Sequence, residues 1–177
     1  MSYEYAACFR LLLLCGYTQE LERYVDAALE EEDPLSPIIL ALSTTGGDDR
    51  KKLSILNEFL LDVKESEIDY DQTVFALVMD FLRDRAAEGM PTKELCHLMY
   101  RLALSSERYF DEPWHTMYYM EDLHDEAEMD IYVSKEDFQL KFHAFFSDGI
   151  CLSAYHSPPE KDSVFTRIRK LFRPERK

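Results

Sequence analysis

The stretch that decides the fold predicted for this chain is Thr73-Val-Phe-Ala-Leu-Val-Met-Asp-Phe-Leu82, with the residues that follow it to Leu104. In the quoted segment the apolar residues recur at the spacing of one helical face, and a second apolar stripe runs beside it. Gly89 and Pro91 end this helix, because glycine favours the left-handed conformation after a helix and proline cannot continue one. The same spacing returns from Thr92 to Leu104, so the two segments predict a buried helical hairpin.

Capping residues and apolar periodicity predict further helices on both sides of this hairpin. They cover residues 2–15, 18–29 and 37–44, a segment capped by Asp48 or Asp49, residues 113–128, and a segment opened by Ser134 and ended by Asp148-Gly149. Asp69 or Asp71 opens the hairpin itself, and Thr18 and Thr92 are expected to cap the helices that follow them. We therefore predict an all-α fold, a single domain of about eight helices packed as successive hairpins. The arrangement is either an irregular bundle or a short solenoid-like stack.

The predicted organisation is a helical domain over residues 1–150, followed by a loop and a short basic amphipathic helix in residues 151–177. From Glu160 to Lys177 the chain has seven basic and three acidic residues, so this segment carries a charge of +4 and the rest carries −19. An apolar stripe runs through it, formed by Val164, Ile168, Leu171 and Phe172. Such a segment either docks on its own acidic body or binds a partner groove or a membrane surface.

The charge of the whole chain restricts the class of partner. With 35 acidic and 20 basic residues among 177, the formal net charge is −15, which argues against binding to nucleic acid phosphates. A basic protein is the partner that this charge favours, although acidity also serves simply to keep a small protein in solution. With 46% apolar and 13% aromatic residues, the chain has enough apolar side chains to form a buried core, so intrinsic disorder is not expected.

An acidic and aromatic segment stands out between Glu107 and Asp130, where nine acidic residues accompany one arginine. Tyrosine and tryptophan supply rigid contact area, and surrounding carboxylates speed the encounter with a basic surface. We therefore predict a partner-binding face in this segment, formed by Tyr109, Trp114, Tyr118, Glu121, Asp122, Asp125, Glu126 and Glu128. The alternative is an ordinary surface helix whose aromatic residues form its buried side.

Two Glu-x-x-His motifs raise a second possibility, a metal-dependent enzyme of the di-iron type. Glu94 with His97 and Glu121 with His124 have the i, i+3 spacing that lets both side chains of a helix reach one metal. His97 is expected on the side of its helix opposite the apolar stripe, so the motifs need not face each other. We assign no metal, no cofactor and no catalytic residue.

The cysteines indicate a reducing environment. Cys8, Cys15, Cys96 and Cys151 show no CxxC pair and no metal-type spacing with histidine, and each lies in or beside an apolar run. Cys151 with His143 or His156 is a conceivable nucleophile pair, but no oxyanion motif accompanies it. With no signal peptide and no membrane span expected, the chain reads as cytoplasmic.

These observations favour a non-catalytic acidic interaction protein that binds a basic protein partner and, in an immunity- or inhibitor-type role, neutralises it. The comparison with immunity proteins and inhibitors rests on size, charge and the lack of a site rather than on a motif. The alternatives are the di-iron-like enzyme and a peripheral membrane protein, with membrane contact possible only through the C-terminal basic segment.

Overall fold

The computed structural model describes residues 1–155, which form eight α-helices and no strand. The helices are α1 (Tyr3–Leu14), α2 (Gln19–Glu31), α3 (Pro37–Ser43), α4 (Asp49–Leu61), α5 (Phe75–Ala87), α6 (Thr92–Ser106), α7 (Trp114–Met129) and α8 (Lys135–Asp148). A π-helical turn, Tyr70–Val74, leads into α5, and a 3-10 turn, Leu152–Tyr155, follows α8. The all-α prediction is confirmed. The predicted basic C-terminal helix lies outside the described residues.

The core is organised around α1 as much as around the predicted hairpin. Seven residues of α1 are buried, and the helix contacts α2, α4, α5 and α6. Because α1 touches helices that are distant in the chain, the architecture is a helical bundle rather than a solenoid, in which each repeat contacts only its neighbours. Helices α5 and α6 are both buried as predicted, but the larger contact of α6 is with α7. This contact fixes the position of the acidic segment.

Side-chain caps explain where several helices begin. Asp48 accepts a hydrogen bond from the Lys51 backbone N–H, and Ser134 accepts one from that of Asp137. Asp69 accepts from the backbone of Gln72 and Thr73 and opens the π-helical turn before α5. These caps agree with the sequence.

Two predicted caps are wrong. The Thr18 hydroxyl donates to Asp49 of α4 over 2.9 Å instead of accepting from its own helix. Its backbone is already helical, so the side chain is not placed to cap, and it ties α2 to α4 instead. Thr92 is the first residue of α6, since Pro91 occupies the capping position. Proline has an extended backbone there and no side-chain acceptor.

Candidate protein-binding site

Helix α7 presents one side to the core. Trp114, Met117 and Met120 are fully buried, and Ala127 nearly so. The indole Nε1 of Trp114 donates to the Tyr70 carbonyl oxygen over 3.3 Å, and its ring packs edge-on against Phe75 with centroids 5.2 Å apart. The core side of the helix therefore contains the tryptophan that the sequence suggested for the partner-binding face.

The opposite side of α7 carries a continuous cluster of aromatic rings. We call this surface the tyrosine face and define it by six residues: Tyr100, Tyr109, Phe110, His115, Tyr118 and Tyr119. Ring centroids are separated by 4.9 Å between Tyr100 and Tyr118, 5.3 Å between Tyr109 and Tyr118, and 4.7 Å between His115 and Tyr119.

The rings of the tyrosine face are open to solvent to different degrees. Phe110 is 77% exposed and Tyr119 is 42% exposed, while the other members are half-buried. Contacts between the rings hold this surface together without covering it. Because aromatic side chains with two rotatable bonds lose little entropy on binding, such a cluster is suited to a protein interface.

Carboxylates border this face along α7. Asp122 and Asp125 are exposed and Glu126 is half-buried. Neither Asp122 nor Glu126 forms an ion pair with any residue between 1 and 155. Their charge is therefore uncompensated by a cation of the described chain, and it adds to a negative field that attracts a basic surface.

The charges and rings of the tyrosine face alter the pKa of one of its members, Tyr118. The neighbouring phenol of Tyr100, partial desolvation and the carboxylate of Asp122 raise the pKa of Tyr118 above its ordinary value. The Tyr118 phenol therefore loses its proton less readily than an isolated tyrosine does. Tyr100 is the main cause of this shift, and Asp122 makes a smaller contribution.

The structure brings together part of the predicted set. Tyr109, Tyr118, Asp122, Asp125 and Glu126 lie on or beside the tyrosine face. Glu121 lies on the side facing α6, where its Oε1 is 2.7 Å from Nδ1 of His97.

Two further predicted members, besides Glu121, lie away from the tyrosine face. Trp114 is in the core, which removes it from any surface available to a partner in this conformation. Glu128 points away from the tyrosine face and forms an ion pair with Lys135 over 2.9 Å. Tyr100 of α6 is the residue of the tyrosine face that the apolar periodicity of the sequence did not predict. The one signal for it in the sequence is its place on the back of that helix, outside the main apolar stripe.

The two Glu-x-x-His motifs meet through His97 and Glu121, a contact that the sequence left open. The contact is a single pair. His124 of the second motif packs edge-on against Phe138 with centroids 5.3 Å apart, and Glu94 is exposed. Between residues 1 and 155 no group of three or more such side chains is placed to hold a metal ion.

Cys151 has the wrong surroundings for a nucleophile. Burial and the nearby Glu112 carboxylate raise the pKa of this thiol to about 11. Glu112 is held in place by the backbone N–H and hydroxyl of Thr116, and this hydroxyl accepts from the Leu152 backbone N–H over 2.8 Å. These contacts tie the turn after α8 to the first turn of α7, which is a structural role.

Similarity to known proteins does not assign a function to this surface. No protein-family model matches the chain, and no curated protein and no solved structure matches it significantly. None of the helices in residues 1–155 is long and apolar enough to cross a membrane. The feature that distinguishes the surface is its own composition, exposed aromatic rings bordered by carboxylates.

Proposed function

We propose that this chain is a non-catalytic interaction protein whose tyrosine face binds a basic protein partner, in the manner of an immunity protein or an inhibitor. The observation that carries the proposal is the position of Asp122 and Glu126. Both are carboxylates without a cationic partner in residues 1–155, and both lie beside a cluster of partly exposed aromatic rings.

The two components of the surface have separate roles in this proposal. Exposed carboxylates raise the rate of encounter with a basic protein and help to orient it. Aromatic rings, of which Phe110 and Tyr119 are the most exposed, supply the contact area that is lost from water in the complex. Four free cysteines, three of them buried, support a reducing compartment such as the cytoplasm.

Affinity purification with three versions of the full chain tests the proposal. The face variant Asp122→Lys/Glu126→Lys reverses two charges beside the tyrosine face. The control variant Glu30→Lys/Glu31→Lys makes the same change in net charge on exposed residues of α2. We expect a basic protein to be recovered with the wild type and the control but lost with the face variant.

Recovery of the same proteins with all three versions would contradict the proposal. So would equal loss with both variants, because net charge rather than the tyrosine face would then determine binding. Circular dichroism of each variant confirms that the substitutions leave the helical fold intact.

A further inference from the structure

A second surface of the protein is an open groove between α7, α8 and the first turn of α6. Its volume is about 500 Å³, and its apolar floor consists of Ala127, Phe138 and Phe142. His124, Glu128, Lys135 and His143 line its sides, and Glu128 forms an ion pair with Lys135 there over 2.9 Å. The groove is distinct from the tyrosine face. His124 lines the groove, whereas Asp122 borders the tyrosine face. The two residues are two positions apart, and because each residue of a helix turns by about 100°, their side chains point to nearly opposite sides of α7.

Helix α8 leaves apolar surface uncovered beside this groove. The rings of Phe138, Phe142 and Phe146 follow one another along the helix, with centroids 5.6 Å and 5.1 Å apart. Phe138 is buried against His124, but Phe142 and Phe146 are only half-buried. A row of aromatic rings that is covered at one end and open at the other is suited to a further amphipathic segment.

The chain supplies a segment of matching chemistry. Residues 160–177 carry a charge of +4 against −19 for the rest of the chain. Val164, Ile168, Leu171 and Phe172 have the i, i+4, i+7, i+8 spacing of one helical face. The negative charge of the body as a whole attracts this segment, and its apolar residues match the half-buried ring of Phe142 in the floor of the groove.

The connection is also long enough. The described chain ends beside the first turn of α7, where Leu152 donates to Thr116. From Thr116 to Ala127 the helix advances by about 16 Å, at 1.5 Å per residue. The nine steps from Tyr155 to Val164 span up to about 30 Å when extended, so Val164 can reach the groove with several residues to spare.

We propose that residues 160–177 dock intramolecularly in the groove between α7 and α8, with their apolar stripe against Phe138 and Phe142. This docking leaves the tyrosine face free, so it does not depend on the function proposed above. The docking explains why a strongly acidic protein carries a basic amphipathic segment, and it gives the apolar groove within reach of that segment an occupant.

Amide NMR spectra of the full chain test the proposal. Leu171→Asp/Phe172→Asp places charge in the apolar stripe, while Ser163→Asp/Thr166→Asp adds the same charge at polar positions of the same segment. We expect the first pair to shift the amide resonances of Ala127, Phe138 and Phe142, and the second pair to leave them within the line width. Neither variant touches the core of residues 1–155.

Equal spectra for the two variants at the groove would overturn the proposal. Shifts at Tyr118 and Tyr119 in place of the groove would overturn it too, because the segment would then dock on the tyrosine face. Flotation with vesicles containing phosphatidylserine provides a further check. If the full chain floats, and Leu171→Asp/Phe172→Asp abolishes flotation without shifting the groove resonances, the segment serves a membrane surface and the intramolecular docking is wrong.

Discussion

Trp114 and Tyr119 are both aromatic residues of α7, yet they make opposite contributions to the protein. Trp114 is fully buried, with its indole N–H bonded to Tyr70, whereas Tyr119 is 42% exposed. We expect Trp114→Ala to lower the free energy of unfolding by about 3 to 5 kcal/mol, as for other large-to-small core substitutions. Tyr119→Ala should lower it by less than about 1 kcal/mol.

Urea denaturation of the two variants measures this difference. Similar losses for both would show that the ring of Trp114 is not in the core. The result also decides which substitution can test binding. Tyr119→Ala changes the tyrosine face, whereas Trp114→Ala changes the stability of the whole domain.

The buried thiols make the protein sensitive to alkaline pH. Burial, with smaller contributions from nearby carboxylates, raises the pKa of Cys8 and that of Cys96 to about 12 from 9.0. The folded state holds these protons more tightly than the unfolded state, so the associated stability is complete below pH 9 and is lost as the pH rises towards 12. At pH 10 the loss is on the order of 1 kcal/mol for each thiol.

Urea denaturation between pH 7 and pH 10.5 checks this expectation, with Cys96→Ala as the control. The variant should lose less stability than the wild type over this range, because one of the thiols with a raised pKa is gone. An equal loss in both proteins would show that Cys96 does not titrate differently on folding.

Among the helix caps, Asp69 is the one that connects most directly to the buried side of α7. It accepts hydrogen bonds from the backbone of Gln72 and Thr73 and from the Thr73 hydroxyl, and these bonds lower the pKa of its carboxyl below the ordinary value. The turn that it opens contains Tyr70, whose carbonyl oxygen receives the Trp114 indole. The stability from this cap is present above pH 3.8 and is lost as the pH falls.

We therefore expect Asp69→Ala to lower the melting temperature at pH 7 and to matter less at pH 3. Asp69→Asn is the matched control, because asparagine can cap without a charge and should retain most of the stability at pH 7. A melting temperature unchanged by Asp69→Ala at pH 7 would contradict the role of this cap.

The helices could be predicted from the sequence because their signals are local. Apolar spacing and capping residues located each helix of residues 1–155, and the caps at Asp48, Asp69 and Ser134 have the expected contacts. The errors at Thr18 and Thr92 have a local cause as well. A threonine before a helix can also bond to another helix or lie inside the first turn, and composition does not distinguish these cases.

The composition of the candidate site was harder to predict because it depends on contacts between helices. Tyr109, Tyr118 and Asp122 were found from their shared segment, but Tyr100 enters the tyrosine face only through the packing of α6 on α7. Trp114 was placed at the surface by its acidic neighbours in the sequence, while the approach of Phe75 and Tyr70 buries it. Periodicity describes one helix at a time and does not specify the partner of each face.

Taken as a whole, the molecule has two separate surfaces and a large excess of negative charge. Helix α7 lies between them, with the tyrosine face on one side and the groove towards α8 on the other. In the proposed arrangement the basic segment of the chain covers the groove, and the tyrosine face remains for a partner. The net charge of −15 then acts at a distance to attract that partner.

The most direct test of the central claim is the dissociation constant of the complex between the full chain and the basic protein that the proposed affinity purification recovers. It is measured by calorimetry at about 50 mM and about 200 mM salt. The account predicts that Asp122→Lys/Glu126→Lys raises this constant at least about tenfold at low salt, a change of about 1.4 kcal/mol, and that the effect shrinks at high salt. Glu30→Lys/Glu31→Lys should change it far less. Equal weakening by the two variants, or no weakening by the first, would contradict the assignment of binding to the tyrosine face.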